Sequence, residues 1–474
     1  MKIEQIYTGC LAHGAYYIES GGEAAIIDPL REVKPYIEMA NMRGDSIKYI
    51  FETHFHADFV SGHIDLANKT GASIVYGPTE MKTGFDFIQA TDGQIFNLGN
   101  IQIQLLHTPG HTMESSCYLL KNEQGKDTAI FTGDTLFIGD VGRPDLAQHV
   151  IADLTEEKLA GHLFDSLRNK IMPLADDIIV YPAHGAGSAC GKNLSKETSD
   201  TLGHQKETNY AMQTHLSKEA FIKEVLTGLM PPPGYFPKNV LMNIKGYDSI
   251  DEVLNRGARA LALNEFETIR NENDVLIIDT RAAKVFAEGF VPGSINIGIN
   301  GSFATWVGTL IPDIKQKIVL VTEEGKEQEA VIRLARVGYD QALGFLQGGF
   351  DTWKNAGITI DKIKSISVEE FAEIKDADNT IEVLDVRKKS EHFSEQMENT
   401  NNIPLDYINE SMHLIDKNKT YYVHCAGGYR SMVFVSILKA RGYDKLIDVE
   451  GGLSAIKASK KFKVTDYICP TSML

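Results

Sequence analysis

Apolar residues in the first half of the chain occur in short runs, each followed by a turn-forming or polar stretch. Runs of this length that are rich in β-branched and aromatic residues predict strands, and apolar positions at helical spacing predict helices over 33–43 and 156–170. The alternation predicts an α/β architecture in which helices cover sheets. The predicted strands are 16–19, 24–28, 49–52, 73–76, 101–107, 116–120, 129–132 and 178–181.

The strongest interruption of this pattern is the run PPPGYFP at residues 231–237. Successive prolines cannot continue a helix or a strand ladder, so we predict a domain boundary there. A chain of 474 residues has room for about three domains. We predict domains at 1–235, 245–360 and 364–474.

Two segments of the second half resemble each other. LIIDTR at 276–281 corresponds to EVLDVR at 382–387, GYDQA at 338–342 corresponds to GYDKL at 442–446, and a Gly-Gly pair follows in both. An offset of roughly a hundred residues is too long for a solenoid repeat and indicates a duplicated domain.

The charge of the chain limits its partners. A formal net charge of -17 argues against nucleic acid or an anionic membrane as a partner, because either would require a basic face. No apolar stretch is long enough to span a bilayer, and the first residues lack the basic and apolar regions of a signal peptide. We therefore expect a cytoplasmic enzyme.

The cysteines do not suggest a disulfide framework. They are odd in number and widely spread, which is typical of individual thiols in a reducing compartment. The five are Cys10, Cys117, Cys190, Cys425 and Cys469.

Histidine and aspartate residues follow several of the predicted strands. His54, His56 and Asp58 come directly after the apolar run 47–51. Ligands of α/β proteins bind at the carboxyl ends of strands, where such side chains can converge on one metal ion. One histidine in such a place is more often an ordinary loop residue, but a series predicts a metal centre. The other motifs are HTPGHT at 107–112, TGDTL at 132–136, GRPD at 142–145 and PAHG at 182–185.

On these motifs the first domain resembles the metallo-β-lactamase fold family, which implies an αββα sandwich. Many hydrolases of that family hold two metals and place a histidine directly after the aspartate of the first motif. Phe59 occupies that position here. The chain therefore resembles the persulfide dioxygenase branch more than the dinuclear zinc hydrolases.

This resemblance implies one Fe(II) per chain, held by His54, His111 and Asp134, with zinc possible in the purified protein. Two histidines and one carboxylate leave positions open for a sulfur ligand and O2, as in non-haem iron oxygenases. Three further side chains would orient the ligands or the bound persulfide. They are His56, Asp58 and His184.

Arg143 lies in the GRPD motif, in the loop after Asp134. Its planar guanidinium is suited to the carboxylate or phosphate of a thiol carrier. A structural ion pair with Asp140 or Asp145 is an equal alternative.

Cys190 is a further candidate catalytic residue. It lies six residues after His184, and even an extended chain of that length spans only about 20 Å, so we expect Cys190 at the mouth of the metal pocket. Lys192 would favour its thiolate. The hypothesis is that Cys190 accepts a sulfane sulfur; the alternative is a packing residue.

The sequence CAGGYR at 425–430 lies between a predicted buried strand at 421–425 and a predicted helix at 431–441. Inward-facing backbone N–H groups, a helix N-terminus and Arg430 would stabilise a thiolate or persulfide anion. The loop resembles a rhodanese active-site loop, and LDVR at 384–387 matches the first rhodanese signature. The resemblance implies that Cys425 and Arg430 are catalytic and that Gly427, Gly428 and Tyr429 bind substrate. A buried structural cysteine is the alternative.

The middle domain carries IVLVTEEGK at 318–326 in the corresponding stretch, and no cysteine occurs between residues 191 and 424. We therefore predict a rhodanese-like α/β domain without catalytic capacity.

Along nearly the whole chain the sequence resembles bacterial persulfide dioxygenase–rhodanese fusion proteins. This implies oxidation of a small persulfide of the glutathione, coenzyme A or bacillithiol type with O2 to sulfite. Cys425 would link sulfite and thiosulfate, and we expect a homo-oligomer. One alternative is a zinc-dependent, glyoxalase II-like thioester hydrolase with accessory rhodanese domains. The other is a non-enzymatic sulfur-sensing or scaffold protein.

Overall fold

The computed structural model describes residues 1–146, 154–192, 194–272 and 274–468, so Cys469 lies outside the described residues. The chain forms two compact units. The first comprises Met1–Ile250 and Ala335–Gly338, and the second comprises Asp251–Leu334 and the residues from Tyr339 onward. Among the described residues, no helix combines the length and the apolar composition that crossing a bilayer requires.

The first unit contains two six-stranded sheets in which strands adjacent in sequence are also adjacent in space. In the first sheet the third to sixth strands are parallel, and in the second the fourth and fifth are parallel. The first sheet consists of β1 (Lys2–Thr8), β2 (His13–Ser20), β3 (Glu23–Ile27), β4 (Ser46–Phe51), β5 (Ser73–Tyr76) and β6 (Ile88–Gln89). The second consists of β7 (Ile95–Leu98), β8 (Ile101–His107), β9 (Ser116–Lys121), β10 (Asp127–Gly133), β11 (Ile179–Pro182) and β12 (Asp200–Thr201).

Six α-helices of the described residues accompany these sheets. They are α1 (Lys34–Arg43), α2 (His63–Thr70), α3 (Glu156–Ser166), α4 (Leu202–Thr208), α5 (Lys218–Leu226) and α6 (Phe236–Lys245). The helix predicted over 156–170 is α-helical only to Ser166 and continues as a π-helical turn, Leu167–Ile171.

The core of the first unit has three layers of apolar contacts. Facing side chains of both sheets, such as Phe51 and Tyr118, fill the space between them. The outer face of the first sheet packs against α1, α2 and α6, with Ile244 of α6 in this cluster. The outer face of the second packs against α3 and α5 through residues such as Leu163 and Phe221. The order helix, sheet, sheet, helix confirms the predicted αββα sandwich.

The first unit extends beyond the predicted boundary at residue 235, to Ile250. The prolines do not begin a spacer, because Pro237 lies in the first turn of α6, where its fixed φ suits a helix and its missing N–H costs nothing. Beyond it, Val240 and Ile244 pack into the core of the first unit. The side chain of Asn243 is fully buried and hydrogen bonds to backbone groups of the loop after β4.

The second unit contains two five-stranded parallel sheets whose strands follow the same order, first-fifth-fourth-second-third. One sheet consists of β13 (Ala260–Leu261), β14 (Val275–Asp279), β15 (Ile295–Asn296), β16 (Lys317–Val321) and β17 (Ala342–Leu346). The other consists of β18 (Lys364–Ile366), β19 (Glu382–Asp385), β20 (Asn401–Asn402), β21 (Tyr421–His424) and β22 (Leu446–Val449).

The helices of this half flank the two sheets. They are α7 (Ile250–Gly257), α8 (Leu263–Arg270), α9 (Ala283–Glu288), α10 (Phe303–Leu310), α11 (Glu327–Arg336), α12 (Gly349–Asn355), α13 (Val368–Ala377), α14 (Lys389–Ser394), α15 (Ile408–Ser411), α16 (Tyr429–Ala440) and α17 (Gly452–Ser459).

The two sheets also share a buried ion pair at the end of the second strand. Arg281 Nη2 lies 2.6 Å from Asp279 Oδ2, and Arg387 Nη2 lies 2.5 Å from Asp385 Oδ2. These are the residues of the repeated motifs, so the duplication predicted from the sequence is also present in the structure.

Candidate functional site

Four loops meet at one edge of the sandwich in the first unit. They follow β4, β8, β10 and β11 and carry His54, His111, Asp134 and His184 respectively. All four side chains are buried. The parallel pairing of β10 with β11 delivers Asp134 and His184 to the same edge, as the sequence predicted.

His54, His111 and Asp134 form a group whose ligand atoms all lie within 4.8 Å of one another. Asp134 Oδ2 lies 3.4 Å from His111 Nε2 and 3.9 Å from His54 Nε2. This oxygen is buried and has no hydrogen-bond partner among the described residues. Burial, with His56 beside it, holds the pKa of His54 well below its ordinary value, so its imidazole is neutral. The group fits a divalent metal ion.

Contacts behind the ring nitrogens orient both histidines. The Thr53 hydroxyl donates to Asp28 Oδ2 at 2.8 Å and therefore accepts from His54 Nδ1 at 3.0 Å. His111 Nδ1 donates to the Arg143 carbonyl at 2.8 Å. With Nδ1 engaged in each ring, Nε2 is the atom that remains for a metal.

His184 lies between two carboxylates. Its Nδ1 is 2.8 Å from Asp134 Oδ1, and its Nε2 is 2.9 Å from Asp58 Oδ2. Burial lowers the pKa of His184, but the carboxylates of Asp134 and Asp58 outweigh it and raise that pKa well above its ordinary value. Both ring nitrogens therefore donate to carboxylates.

Phe59 directly follows Asp58 in the loop after β4. Its side chain is fully buried. The ring packs against His13, at a centroid distance of 4.3 Å, and against His56, at 4.4 Å.

Cys190 lies next to the metal group, as expected, but is buried rather than at a mouth. Its sulfur lies within 4.8 Å of ligand atoms of Asp58 and His184. The expectation that Lys192 favours its thiolate is wrong. Burial, together with the carboxylates of Asp58 and Asp134, raises the pKa of Cys190 well above its ordinary value. Lys192 Nζ instead donates to the carbonyls of Glu224 and Thr227.

Arg143 is buried and its guanidinium is engaged. Nε and Nη2 donate to the two oxygens of Asp145 at 2.7 and 2.6 Å. The remaining donors reach the carbonyls of Ala189 and Met230. The structural ion pair, one of the two alternatives from the sequence, is the arrangement observed.

A further buried group was not predicted from the sequence. His56 Nε2 lies 3.1 Å from Asp28 Oδ1 and 3.5 Å from Glu52 Oε2. Burial and the nearby Asp28 raise the pKa of Glu52 well above its ordinary value. His56 therefore faces these two acids, and the only sequence signal was that Asp28 and Glu52 also directly follow strands.

A narrow apolar cavity of about 30 Å³ reaches His111. Its lining includes Phe55, Ala57, Met113 and Val240.

In the second unit, Cys425 follows β21 directly and is buried. The backbone N–H of Gly428 donates to its Sγ at 3.1 Å, and Gly428 reaches this geometry with a left-handed φ of 97°. Arg430 is paired with Glu391 through two contacts of 2.5 and 2.8 Å. The helix begins at Tyr429, two residues earlier than predicted, so Tyr429 and Arg430 belong to its first turn.

Tyr429 connects the loop to the middle domain. Its hydroxyl donates to the Gly298 carbonyl at 2.8 Å. The ring lies so close to Gly301 that a Cβ there would be 2.5 Å from a ring carbon. Cys425 directly follows β21, and the residue that directly follows the corresponding strand β16 of the middle domain is Thr322.

Comparison with known proteins identifies the fold family. The model of the metallo-beta-lactamase superfamily matches residues 8–184. The crystal structure of a metallo-beta-lactamase from Staphylococcus aureus aligns with a TM-score of 0.63 and 31% identity over 73% of this chain and 98% of that chain. The chain belongs to the metallo-beta-lactamase superfamily. The rhodanese-like domain model matches 262–356 and 367–459, so two rhodanese-like domains follow the metallo-beta-lactamase domain.

Curated relatives are similar to less than half of this chain. The hydroxyacylglutathione hydrolase of Pelagibacter ubique is 37% identical over 208 residues, which are 43% of this chain and 76% of that protein. A probable hydroxyacylglutathione hydrolase of Schizosaccharomyces pombe is 29% identical over 206 residues, 42% of this chain and 74% of that protein.

Proposed function

We propose that the metallo-beta-lactamase domain is a non-haem iron persulfide dioxygenase and that the last domain is a sulfurtransferase. The first reaction is R–S–SH + O2 + H2O → R–SH + SO3²⁻ + 2 H⁺, with R–SH a thiol of the glutathione, coenzyme A or bacillithiol type. The sulfane sulfur is oxidised and O2 is reduced. The second reaction links the sulfite to thiosulfate through Cys425.

The observation that carries this proposal is the position of His184. A dinuclear hydrolase would use Asp58, His184 and the carboxylate of Asp134, which would bridge the two metals, as ligands of a second metal. Here each nitrogen of His184 donates to one of those carboxylates, at 2.8 and 2.9 Å. Of the three buried groups of potential metal ligands among the described residues, His54, His111 and Asp134 form the one that combines two histidines with a carboxylate.

His54, His111 and Asp134 would hold the iron, which would supply the redox chemistry for the reaction of O2 with the substrate sulfur. The hydrogen bonds to Thr53 and to the Arg143 carbonyl fix the two histidine rings. His184 holds a proton between Asp58 and Asp134, close to where charge develops on oxygen. The apolar lining beside His111 excludes water from the reacting sulfur.

In the sulfurtransferase step the Cys425 thiolate attacks the sulfane sulfur of R–S–SH. A new S–S bond forms at Cys425 Sγ as the S–S bond of the carrier breaks, and the electron pair leaves with R–S⁻, which takes up a proton. Sulfite then attacks the transferred sulfur, which releases thiosulfate and restores the thiolate. The Gly428 N–H that lies 3.1 Å from Sγ stabilises the anionic forms.

A second candidate function is zinc-dependent thioester hydrolysis, because relatives at up to 37% identity among those described above are named hydroxyacylglutathione hydrolase. In that case the substrate would be a thioester, and the zinc would activate water to attack its carbonyl carbon.

Elemental analysis and an oxygen electrode distinguish the two. We expect one iron per chain after growth in iron-sufficient medium, and O2 consumption with synthetic persulfides. His111→Ala should lose the iron. His107→Ala is the matched control, because His107 ends β8 four residues before His111 and its ring contacts the Met113 carbonyl. Two zinc ions per chain with full thioester hydrolysis and no O2 uptake would refute the dioxygenase assignment.

A further inference from the structure

A cavity of about 370 Å³ lies in the second unit beside the Cys425 loop. Gly427 and Gly428 of the loop form part of its wall, and Gly298 and Ile299 of the middle domain form another part. Small-molecule sites typically measure about 300–1,000 Å³. The volume is therefore that of an organic ligand and exceeds what an inorganic sulfur anion alone would fill.

The buried wall of this cavity contains the carboxyl group of Asp448. Asp448, in the middle of β22, is 3% exposed. Its Oδ2 accepts from the Ser365 hydroxyl at 2.8 Å, whereas Oδ1 is buried without a hydrogen bond of normal geometry among the described residues. Burial raises the pKa of Asp448 to about 6, and the hydroxyls of Ser431 and Ser365 only partly offset this effect. A buried carboxylate oxygen such as Asp448 Oδ1 requires a hydrogen-bond donor.

The charges around the cavity favour one class of ligand. Among the described lining residues, Asp448 and Glu450 are acidic and Lys284 is the single cation. A doubly negative ion such as thiosulfate would meet more negative than positive charge there. A molecule with both an ammonium group and a carboxylate would match both signs.

We propose that this cavity binds the carrier part of an aminothiol persulfide, with its ammonium group on Asp448 and its carboxylate on Lys284. The glycines of the loop let the carrier approach the backbone closely. Glu450 adds a second acceptor for the ammonium group. This proposal rests on the proposed sulfur transfer at Cys425 and specifies its donor as an amino-acid-type or peptide-type thiol with a free amino group.

Three related donors test the proposal in the full-length protein under anaerobic conditions, with sulfite as acceptor. Cysteine persulfide carries both charged groups, N-acetylcysteine persulfide lacks the ammonium group, and cysteamine persulfide lacks the carboxylate. Because a charge-assisted hydrogen bond is at stake, we expect a KM about tenfold lower for cysteine persulfide than for its acetylated form.

The variants should separate the two contacts. Asp448→Asn should raise KM about tenfold for the two donors with an ammonium group and leave that of N-acetylcysteine persulfide unchanged. Lys284→Gln should raise KM only for the two donors with a carboxylate. Asp444→Asn is the matched control, since Asp444 is exposed and does not line this cavity. An equal fall in kcat for all three donors in Asp448→Asn would overturn the proposal.

Binding of S-methylcysteine, measured by calorimetry, keeps this proposal separable from the proposed function. The cavity site is supported if the wild-type protein binds S-methylcysteine but not its N-acetylated form, and if the Asp448→Asn variant does not bind S-methylcysteine. This holds even if no sulfur is transferred. Sulfur transfer without any such preference, or with thiosulfate as efficient a donor as cysteine persulfide, would refute the cavity site alone.

Discussion

Replacement of Asn243 by leucine should destabilise the loop that carries the metal group. Asn243 Nδ2 donates to the carbonyls of His56 and Phe59, both at 2.8 Å, and its Oδ1 accepts from the Ser61 N–H at 2.9 Å. The three contacts tie this loop to α6. Leucine has a similar size but can make none of them.

The expected magnitude follows from burial. The Asn243 side chain is fully buried, so its loss leaves two carbonyls and one N–H without partners and with little access to water. Each such group costs about 1–3 kcal/mol. Allowing for relaxation and for the apolar gain of leucine, we expect a loss of about 3–5 kcal/mol in the free energy of unfolding of the first unit.

Urea unfolding with two probes can assign this loss to the first unit. Both tryptophans, Trp306 and Trp353, lie in the second unit, so their fluorescence monitors that unit, whereas far-UV circular dichroism monitors both. In the presence of a chelator, Asn243→Leu should lower the urea midpoint of the first unit by roughly 1–2 M and leave the fluorescence transition in place.

Asn239→Leu is the matched control for this experiment. Asn239 lies one turn earlier in α6 and is also fully buried, but neither polar atom of its side chain has a partner among the described residues. Its replacement should be neutral or stabilising by about 1–2 kcal/mol. Equal losses in the two variants would show that the three hydrogen bonds do not determine the effect.

Three further predictions concern the cysteines. Cys425→Ser in the full-length protein should abolish sulfur transfer and leave O2 consumption intact, because the metal group and the loop lie in different units; residual transfer would reveal activity in the middle domain, and a parallel fall in O2 uptake would show obligate coupling. Cys190 should be alkylated far more slowly than the partly exposed Cys10 at neutral pH, and the difference should narrow as pH rises, because burial raises the pKa of Cys190. If Cys190 accepts sulfane sulfur, mass spectrometry after brief anaerobic exposure to a persulfide should find one added sulfur there, and Cys190→Ser should slow oxidation without loss of iron; an unmodified Cys190 and an unchanged rate would make it a packing residue.

Several features of the fold follow from local sequence patterns. The strands predicted at 73–76 and 101–107 have the observed bounds of β5 and β8. The convergence of His54, His111 and Asp134 also follows, because each comes shortly after a strand and the strands end at one edge. The edge strands β1 and β7 were missed; β1 has three apolar residues among seven, and β7 is only four residues long.

Features that depend on tertiary contacts could not be predicted in this way. The prolines at 231–233 mark a local break, but only the packing of Ile244 and the hydrogen bonds of Asn243 show that the first unit continues past them. Lys192 is close to Cys190 in sequence, yet its side chain reaches carbonyls at the C-terminal end of α5, and burial is the largest cause of the raised pKa of the thiol.

The position of the Tyr429 ring against Gly298 and Gly301 places an evolutionary constraint on the middle domain. A Cβ at residue 301 would overlap that ring, so a mutation in the copy without a cysteine would displace the loop of the copy that has one. Glu323 and Glu324 of the middle domain, in contrast, are exposed. In an alignment of relatives, glycine at position 301 should therefore persist where a large aromatic residue occupies position 429 and should be replaced where that residue is small. Selection for activity in one domain would then be recorded in the sequence of the other.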